Sequence, residues 1–489
     1  MSDSRVETGL QALILCGPGT SFDTLLKPEK SPKCLTLVAN RPMIYYPMNL
    51  CKRLGITDVN LIAFSSAVNL IKTTLKQDPS LSSFTFTKIL APADLEAETS
   101  TARILCLPEV QDCIRSSFLL LPCDLVCELD GQHLLNPWGF LRSQDLREFN
   151  GGVGFYYQTE SGIKDEVSDL IAVAPLEQGE MPGAAKYKLS RLVMSMGMDA
   201  SKAKMEDEKA FLLRHSLSRK YRRIKIMTDY RDAHLYFFPR WVKHLVRRQE
   251  RISSIKEDLV GLWAKAQWQQ GLAEKMGMAN CRGHHSSRQW TDCEAVSCAV
   301  CQQPQNGLPD PGIVQPVEMP PFLACTLEGS AKMFRRVDSP ALLLSTSLRL
   351  AKLESIEDAE DASMISPLAH SHKIASPDCV ANRSYISRND CLLAPSVVVE
   401  KGCSIKETCI GPGSKICNGA RLTRCVVLGN VTIGPRCVLV GCVIGSRSSV
   451  GSGSVLNGCE VQEDFEVPER TEAKNEIFRP LLEDLLGDM

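Results

Sequence analysis

The sequence has no long apolar run. Nowhere in its 489 residues do about 18 apolar side chains follow one another, the length a membrane-crossing helix needs, so none is expected. It also lacks an excess of charge of either sign. The 56 Lys+Arg balance 57 Asp+Glu, which removes any overall pull towards nucleic acid or acidic lipid. The opening Met-Ser-Asp-Ser-Arg-Val-Glu-Thr has no apolar stretch of the kind that makes a secretory signal. A soluble, cytosolic protein is therefore expected. Its 21 cysteines are expected to be free thiols, many serving as small hydrophobes in apolar runs. With 44% hydrophobic and 23% charged residues, a fibrous, collagen-like or wholly disordered chain is excluded. The length suggests two or three domains.

What is present is ordered in two parts. The first alternates strand and helix. Leu10-Gln-Ala-Leu-Ile-Leu-Cys16 is a buried strand running into the turn Gly17-Pro-Gly-Thr20. Ile44, Met48, Cys51 and Leu54 share a helix face that Gly55 terminates. Val59-Asn-Leu-Ile-Ala-Phe64 and Ser117-Phe-Leu-Leu-Leu-Pro122 are further strands, and the second leads straight into Cys123 and Asp124. This order predicts an α/β domain over 1–355 with a parallel sheet and helices on both faces.

Two stretches break the pattern, near 176–222 and 270–320, and are predicted to be flexible insertions. The second holds Cys281, His284, His285, Cys293, Cys298 and Cys301. Cys298-x-x-Cys301 has zinc-ligand spacing, but its distance from Cys281 and Cys293 matches no regular finger, so no metal is expected. Residues 214–256 carry 13 Lys/Arg and 3 Asp/Glu. With sparse aromatics between them, they are read as solvated helix and loop rather than as a nucleic-acid surface. An acidic linker, 356–380, follows.

The second part is a repeat. Ile410, Ile416, Leu422, Leu428, Ile433, Leu439, Ile444, Val450 and Leu456 recur at steps of six with two steps of five, and glycine directly follows five of them. That period predicts a left-handed parallel β-helix over 381–462, with an acidic tail over 463–489. Period-2 alternation, which a β-sandwich would need, is missing. Outward valines and cysteines, as in Val438-Leu-Val-Gly-Cys-Val443, predict an apolar face covered by a partner.

Chemistry is expected where strands of the sheet end. Gly17, Gly19 and Thr20 form a turn able to cradle phosphate. Lys33, after Pro32, can neutralise a phosphate, and Asp124 can hold a divalent cation. Each alone has a plainer reading, as a turn or an exposed loop charge.

Together with the hexapeptide repeat, these residues resemble the sugar-nucleotide pyrophosphorylase family. The resemblance implies a nucleotidyltransferase-like, Rossmann-like domain that joins a sugar 1-phosphate to a nucleoside triphosphate with Mg²⁺. The fit is partial. The signature loop appears as Leu15-Cys-Gly-Pro-Gly-Thr-Ser-Phe22, one residue short and with Ser21 where the family has arginine. The base-contacting segment reads Glu98-Thr-Ser-Thr-Ala-Arg103, with a carboxylate in place of glycine. No sugar-phosphate Glu-Lys-Pro motif and no second metal carboxylate were found. The resemblance therefore implies a vestigial pocket, with no catalytic residue, no metal and no cofactor. An active GDP-mannose- or ADP-glucose-forming enzyme is the alternative.

Asp232-Ala-His-Leu-Tyr236 and Ser253-Ser-Ile-Lys-Glu-Asp-Leu259 resemble the gamma-subunit family of eukaryotic translation initiation factor 2B, the guanine-nucleotide exchange factor for initiation factor 2. This implies a non-catalytic subunit that supports an epsilon subunit in GDP release. The implied partners are epsilon, alpha, beta and delta subunits in a decamer and initiation factor 2, with no membrane and no required contact to nucleic acid.

Overall fold

The computed structural model describes residues 9–27, 30–84, 87–144, 151–160, 162–164, 166–176, 187–211, 213–277, 319–327, 332–359 and 365–480. Nine strands make the main sheet: β1 (Gln11–Leu15), β2 (Asp58–Ile62), β3 (Thr87–Leu90), β4 (Phe118–Pro122), β5 (Gly152–Gln158), β6 (Asp169–Ala174), β7 (Lys188–Gly197), β8 (Lys225–Phe238) and β9 (Phe322–Leu327). Their spatial order is β3-β2-β1-β4-β8-β5-β9-β7-β6. Side chains alternate between two cores. Ala12, Ile14, Leu119 and Leu121 enter one, and Leu13, Phe118 and Leu120 the other, so strands that read as continuous apolar runs are buried on both faces.

The sheet is mixed rather than parallel. β3, β2, β1 and β4 are parallel, as is the pair β5–β9. β8 runs antiparallel to β4, β5 and β6, and β7 to β9 and β6.

The expectation of a loop over 176–222 is corrected for its described part. Among the described residues of 187–222 are β7 and the helices Met198–Glu208 and His215–Lys220. The Met- and Ser-rich stretch Lys188–Gly197 carries no clean alternation of its own; its strand is fixed by pairing with β6 and β9 on either side. The cluster Cys281, His284, His285, Cys293, Cys298 and Cys301 lies outside the described residues. Several cations of the basic stretch act inside the fold. Lys243 Nζ donates to Gln111 O (2.8 Å) and Ile114 O (2.7 Å), and Arg231 pairs with Asp338 (2.6 Å).

The repeat forms a three-sided coil of parallel strands. Partners across successive turns are 17 residues apart, as in Ile410↔Val427 and Ile433↔Val450. One side of each turn takes five residues and the other two take six. The inward columns are Leu393, Ile410, Val427, Ile444, Val461; Val399, Ile416, Ile433, Val450, Val467; and Ile405, Leu422, Leu439, Leu456. Two expectations change. Val427, not Leu428, faces inward, because the five-residue step falls between Leu422 and Val427. The coil also continues through Glu466–Val467, Glu472–Lys474 and Ile477–Phe478, where a tail was expected. Its glutamates point outward while Val467 stays in the column. Close packing of turns explains the glycines: a Cβ on Gly445 would lie 2.5 Å from Glu463 N.

The coil docks on the first part of the chain. Leu392, Cys409, Val426 and Val443, outward on one side, join the core that holds Leu343, Leu350 and Val38. Cys409 and Val426 pack on the helix Pro340–Ala351, which Ser339 caps by accepting from Leu342 N (3.3 Å), with Pro340 at its first position. Cys409 Sγ lies 3.4 Å from Ser347 O. The apolar face anticipated for a partner is thus covered, on this side, by the chain itself. On another side Val440 and Val455 stay exposed.

Truncating a column residue should open a cavity. Ile433→Ala is expected to cost about 2–5 kcal/mol, while the outward neighbour Thr432→Ala should change stability by less than about 0.5 kcal/mol. Denaturant unfolding of the two variants checks this.

Candidate functional site

Asp124 follows β4 directly, where a parallel strand delivers a residue to the carboxyl edge of the sheet. It is 2% exposed. Lys33 Nζ reaches its Oδ2 at 2.6 Å. Arg336 grips the same carboxylate with two nitrogens, Nε to Oδ1 and Nη2 to Oδ2, each at 2.9 Å. Burial opposes ionisation of Asp124, but the charges of Arg336 and Lys33 overcome it and hold the carboxyl well below the usual carboxylate range. Arg336 reaches the site from the strand Phe334–Arg336, which pairs antiparallel with Leu125–Cys127.

The chain leading to Lys33 is shaped around that contact. Gly19 adopts φ +78°, and a Cβ there would lie 2.7 Å from Lys33 Cβ, so glycine is required twice over. Lys33 Nζ also lies 5.2 Å from the centre of the buried Phe22 ring. Gly19, Lys33 and Asp124 are therefore brought together. Gly17 and Thr20 stand exposed on the loop, and Glu98 is exposed in a turn.

A second charged chain lies behind. Asp169, 2% exposed, pairs through Oδ1 with Lys256 (2.7 Å) and accepts from Asp232 N at Oδ2 (2.9 Å). It links the two segments that carried the gamma-type resemblance. Asp232 accepts from His234 N (2.8 Å) and Tyr236 OH (2.5 Å). Burial pushes the Asp232 carboxyl up to about 6, against the pull of Lys256. Between Asp232 and Tyr236 the pairing with β5 shifts register, and His234 takes φ +53°, a strained value for a residue with a Cβ. Burial, with Arg336 and Lys256 adding to it, holds the His234 imidazole well below its ordinary value, so it is neutral.

The loop before Lys33 is fastened at its other end to the coil. Glu463, fully buried, accepts from Lys27 N (2.5 Å), Ser31 Oγ (2.6 Å) and Arg447 Nη2 (2.9 Å), and its own N–H donates to Leu25 O (3.0 Å). Gln462 Nε2 donates to Asp23 O (2.7 Å), and Thr24 Oγ1 to Glu460 (2.6 Å).

The donor set at Asp124 does not fit a divalent cation. Both carboxylate oxygens are taken by the chain's own cations, and among the described residues no three metal-ligating side chains converge. Arg336, Asp169 and Glu463 were not found from the sequence. Arg336 sits one residue from Arg335 with no motif around it, and Glu463 lies where an acidic tail was expected.

Comparison with known proteins finds similarity in both parts of the chain. Residues 387–480 match the GMPPB C-terminal domain. Over 262 residues the chain is 26% identical to the translation initiation factor eIF2B subunit gamma of Schizosaccharomyces pombe, covering 54% of this chain and 52% of that protein. The gamma subunit of Caenorhabditis elegans is 24% identical over 267 residues, 53% of this chain and 59% of that protein. The chain is similar to eIF2B gamma subunits. It spans a little over half the length of these curated relatives. The match to gamma subunits supports the resemblance read from Asp232–Tyr236 and Ser253–Leu259, and the match over 387–480 supports a hexapeptide-type coil. Among the described residues no helix is long and apolar enough to cross a membrane.

Removing Asp124 strands the buried Lys33 and leaves Arg336 with only the longer contact to Asp338 (3.6 Å). Asp124→Ala is expected to destabilise by about 3–5 kcal/mol. Its folded pKa is depressed, so its contribution is complete above the unfolded value near pH ~4 and is lost as pH falls further. The stability gap between wild type and variant, followed by urea unfolding across pH, should hold flat above pH ~4 and narrow below it.

Proposed function

We propose that this chain is a non-catalytic, gamma-type subunit of the guanine-nucleotide exchange factor for translation initiation factor 2. Its first part is a nucleotidyltransferase-like domain that has lost its chemistry, and its coil is a left-handed β-helix. One observation carries the loss of chemistry: Asp124 is neutralised by Lys33 and Arg336. Phosphoryl transfer needs a metal and free cations to meet charge developing on the transferred group. Here the two cations at hand are spent on a carboxylate of the chain itself, and the loop that bears Lys33 is tied to the coil.

Such a subunit contributes surface and support rather than chemistry. It pairs with the epsilon subunit, joins alpha, beta and delta subunits in the cytosolic decamer, and offers part of the docking surface for initiation factor 2 during GDP release. The domains run over 1–355 and the coil that follows the linker. The exposed valines Val440 and Val455 make the third side of the coil a place for a subunit to cover.

Two measurements test this reading. Purified protein incubated with sugar 1-phosphates, nucleoside triphosphates and Mg²⁺ should release pyrophosphate only at background, and Asp124→Ala should not change that rate. Activity that vanishes in the variant would favour the pyrophosphorylase alternative. Co-expression with the epsilon subunit should give one co-eluting species on size exclusion. Separate elution of the two chains at micromolar concentration sinks the subunit assignment.

A further inference from the structure

A cavity of about 500 Å³ opens between the end of β7, the helix Met198–Glu208, residues 210, 211, 213, 214 and 217, and the helical stretch from Glu257 to Trp268. It shares no lining residue with the Lys33–Asp124 cluster, and nothing in the subunit reading uses it. Its volume lies in the range of sites for small organic ligands, about 300–1,000 Å³.

The floor is apolar and fixed. Met194, Phe211, Leu217, Leu262 and Trp268 line it. The indole of Trp268 is locked by Nε1–H donating to Val193 O at 2.8 Å, and Leu217 and Trp268 belong to one small core with Val193. The walls add three cations, Lys204, Arg214 and Lys265. Arg214 Nη1 donates to the neutral Gln269 Oε1 at 3.2 Å. Among the described residues no carboxylate pairs with any of the three. Burial, then the charges of Arg214 and Lys204, push the Lys265 ammonium down. Carboxylates are also present in the lining. Asp258 is occupied by Ser253 and Ser254 N–H groups at 2.9 and 2.8 Å, while Glu208 and Glu257 are left for hydroxyl or amino donors.

Three carboxylates share the lining with the three cations, yet none is paired with them, so an anion seated on the apolar floor would meet donors that no carboxylate already engages. We propose that this cavity is a binding site for a small amphiphilic anion, a phosphate, sulfonate or carboxylate group carried on an aromatic or apolar body. The anionic end sits among Lys204, Arg214 and Lys265, and the apolar body lies on Trp268 and Leu262. A bare inorganic anion would leave the floor uncovered. A folded protein partner is too large for the space.

The test uses 8-anilinonaphthalene-1-sulfonate as the probe and phenyl phosphate as the competitor, on the full-length chain. The wild type should bind the probe with enhanced fluorescence and release it to phenyl phosphate but not to inorganic phosphate at the same concentration. The triple variant Lys204→Ser, Arg214→Ser, Lys265→Ser should bind at least about tenfold more weakly, a loss of about 1.4 kcal/mol or more. Leu70→Ser, at an exposed apolar residue elsewhere, should bind as wild type. Should the triple variant fail to fold by circular dichroism, the single Lys265→Met replaces it, with a weaker loss in the same direction. Equal probe affinity in wild type and cation variant, or no displacement by phenyl phosphate, overturns the proposal.

Discussion

A carboxylate that is buried and still ionised dictates the arrangement around it. Asp124 is 2% exposed, and an isolated charge in such a place would be prohibitively costly or would take up a proton. Two cations must therefore be delivered to it from different parts of the chain. Lys33 comes from the loop after β1, and Arg336 from the strand beside Leu125–Cys127. Arg336 also approaches Asp338 at 3.6 Å, which in turn holds Arg231 of β8 at 2.6 Å. One buried charge thus fixes the loop, a strand end and the middle of the sheet to one another. Such a cluster is weak as a source of net stability and strong as a constraint on arrangement, since losing any partner leaves a charge stranded.

The same logic appears a second time at the junction of the two parts. Glu463 is as buried as Asp124 and is satisfied by a guanidinium, a hydroxyl and a backbone N–H. The loop from Asp23 to Lys33 is consequently held at both ends by carboxylates, one on the sheet and one on the coil. A loop that closes over a substrate must exchange between two conformations, and these contacts would have to break for this one to move.

Much of the fold was legible because burial writes periodicity into sequence. Strands such as Phe118–Pro122 announce themselves by unbroken apolar runs, and the coil by its steps of six and five. Legibility failed where a neighbour, not the local sequence, decides the structure. Lys188–Gly197 is a strand because β6 and β9 flank it. Leu428 and Val427 are both apolar and both buried, one against the helix-bearing part and one inside the coil, so hydrophobicity could not say which faces in. At the site, Gly19, Lys33 and Asp124 were visible because turn chemistry and strand ends mark them. Arg336 and Glu463 were not, since long charged side chains carry no periodic signal and their partners lie 212 and 436 residues away in the chain.

The coil touches the first part of the chain at two heights. Leu392, Cys409, Val426 and Val443 join the core of the first part, and further along the same stack Glu460, Gln462 and Glu463 grasp Asp23, Thr24, Lys27 and Ser31. Neighbouring turns of such a stack stand about 4.8 Å apart. The stack therefore behaves as a caliper with fixed jaws. Adding or losing one 17-residue turn between the jaws would preserve every inward column, yet move the grasping corner by a whole strand spacing from the loop it holds. A change of one residue would instead turn the columns inside out. Between Leu392 and Glu463 the length of this chain is locked on both counts.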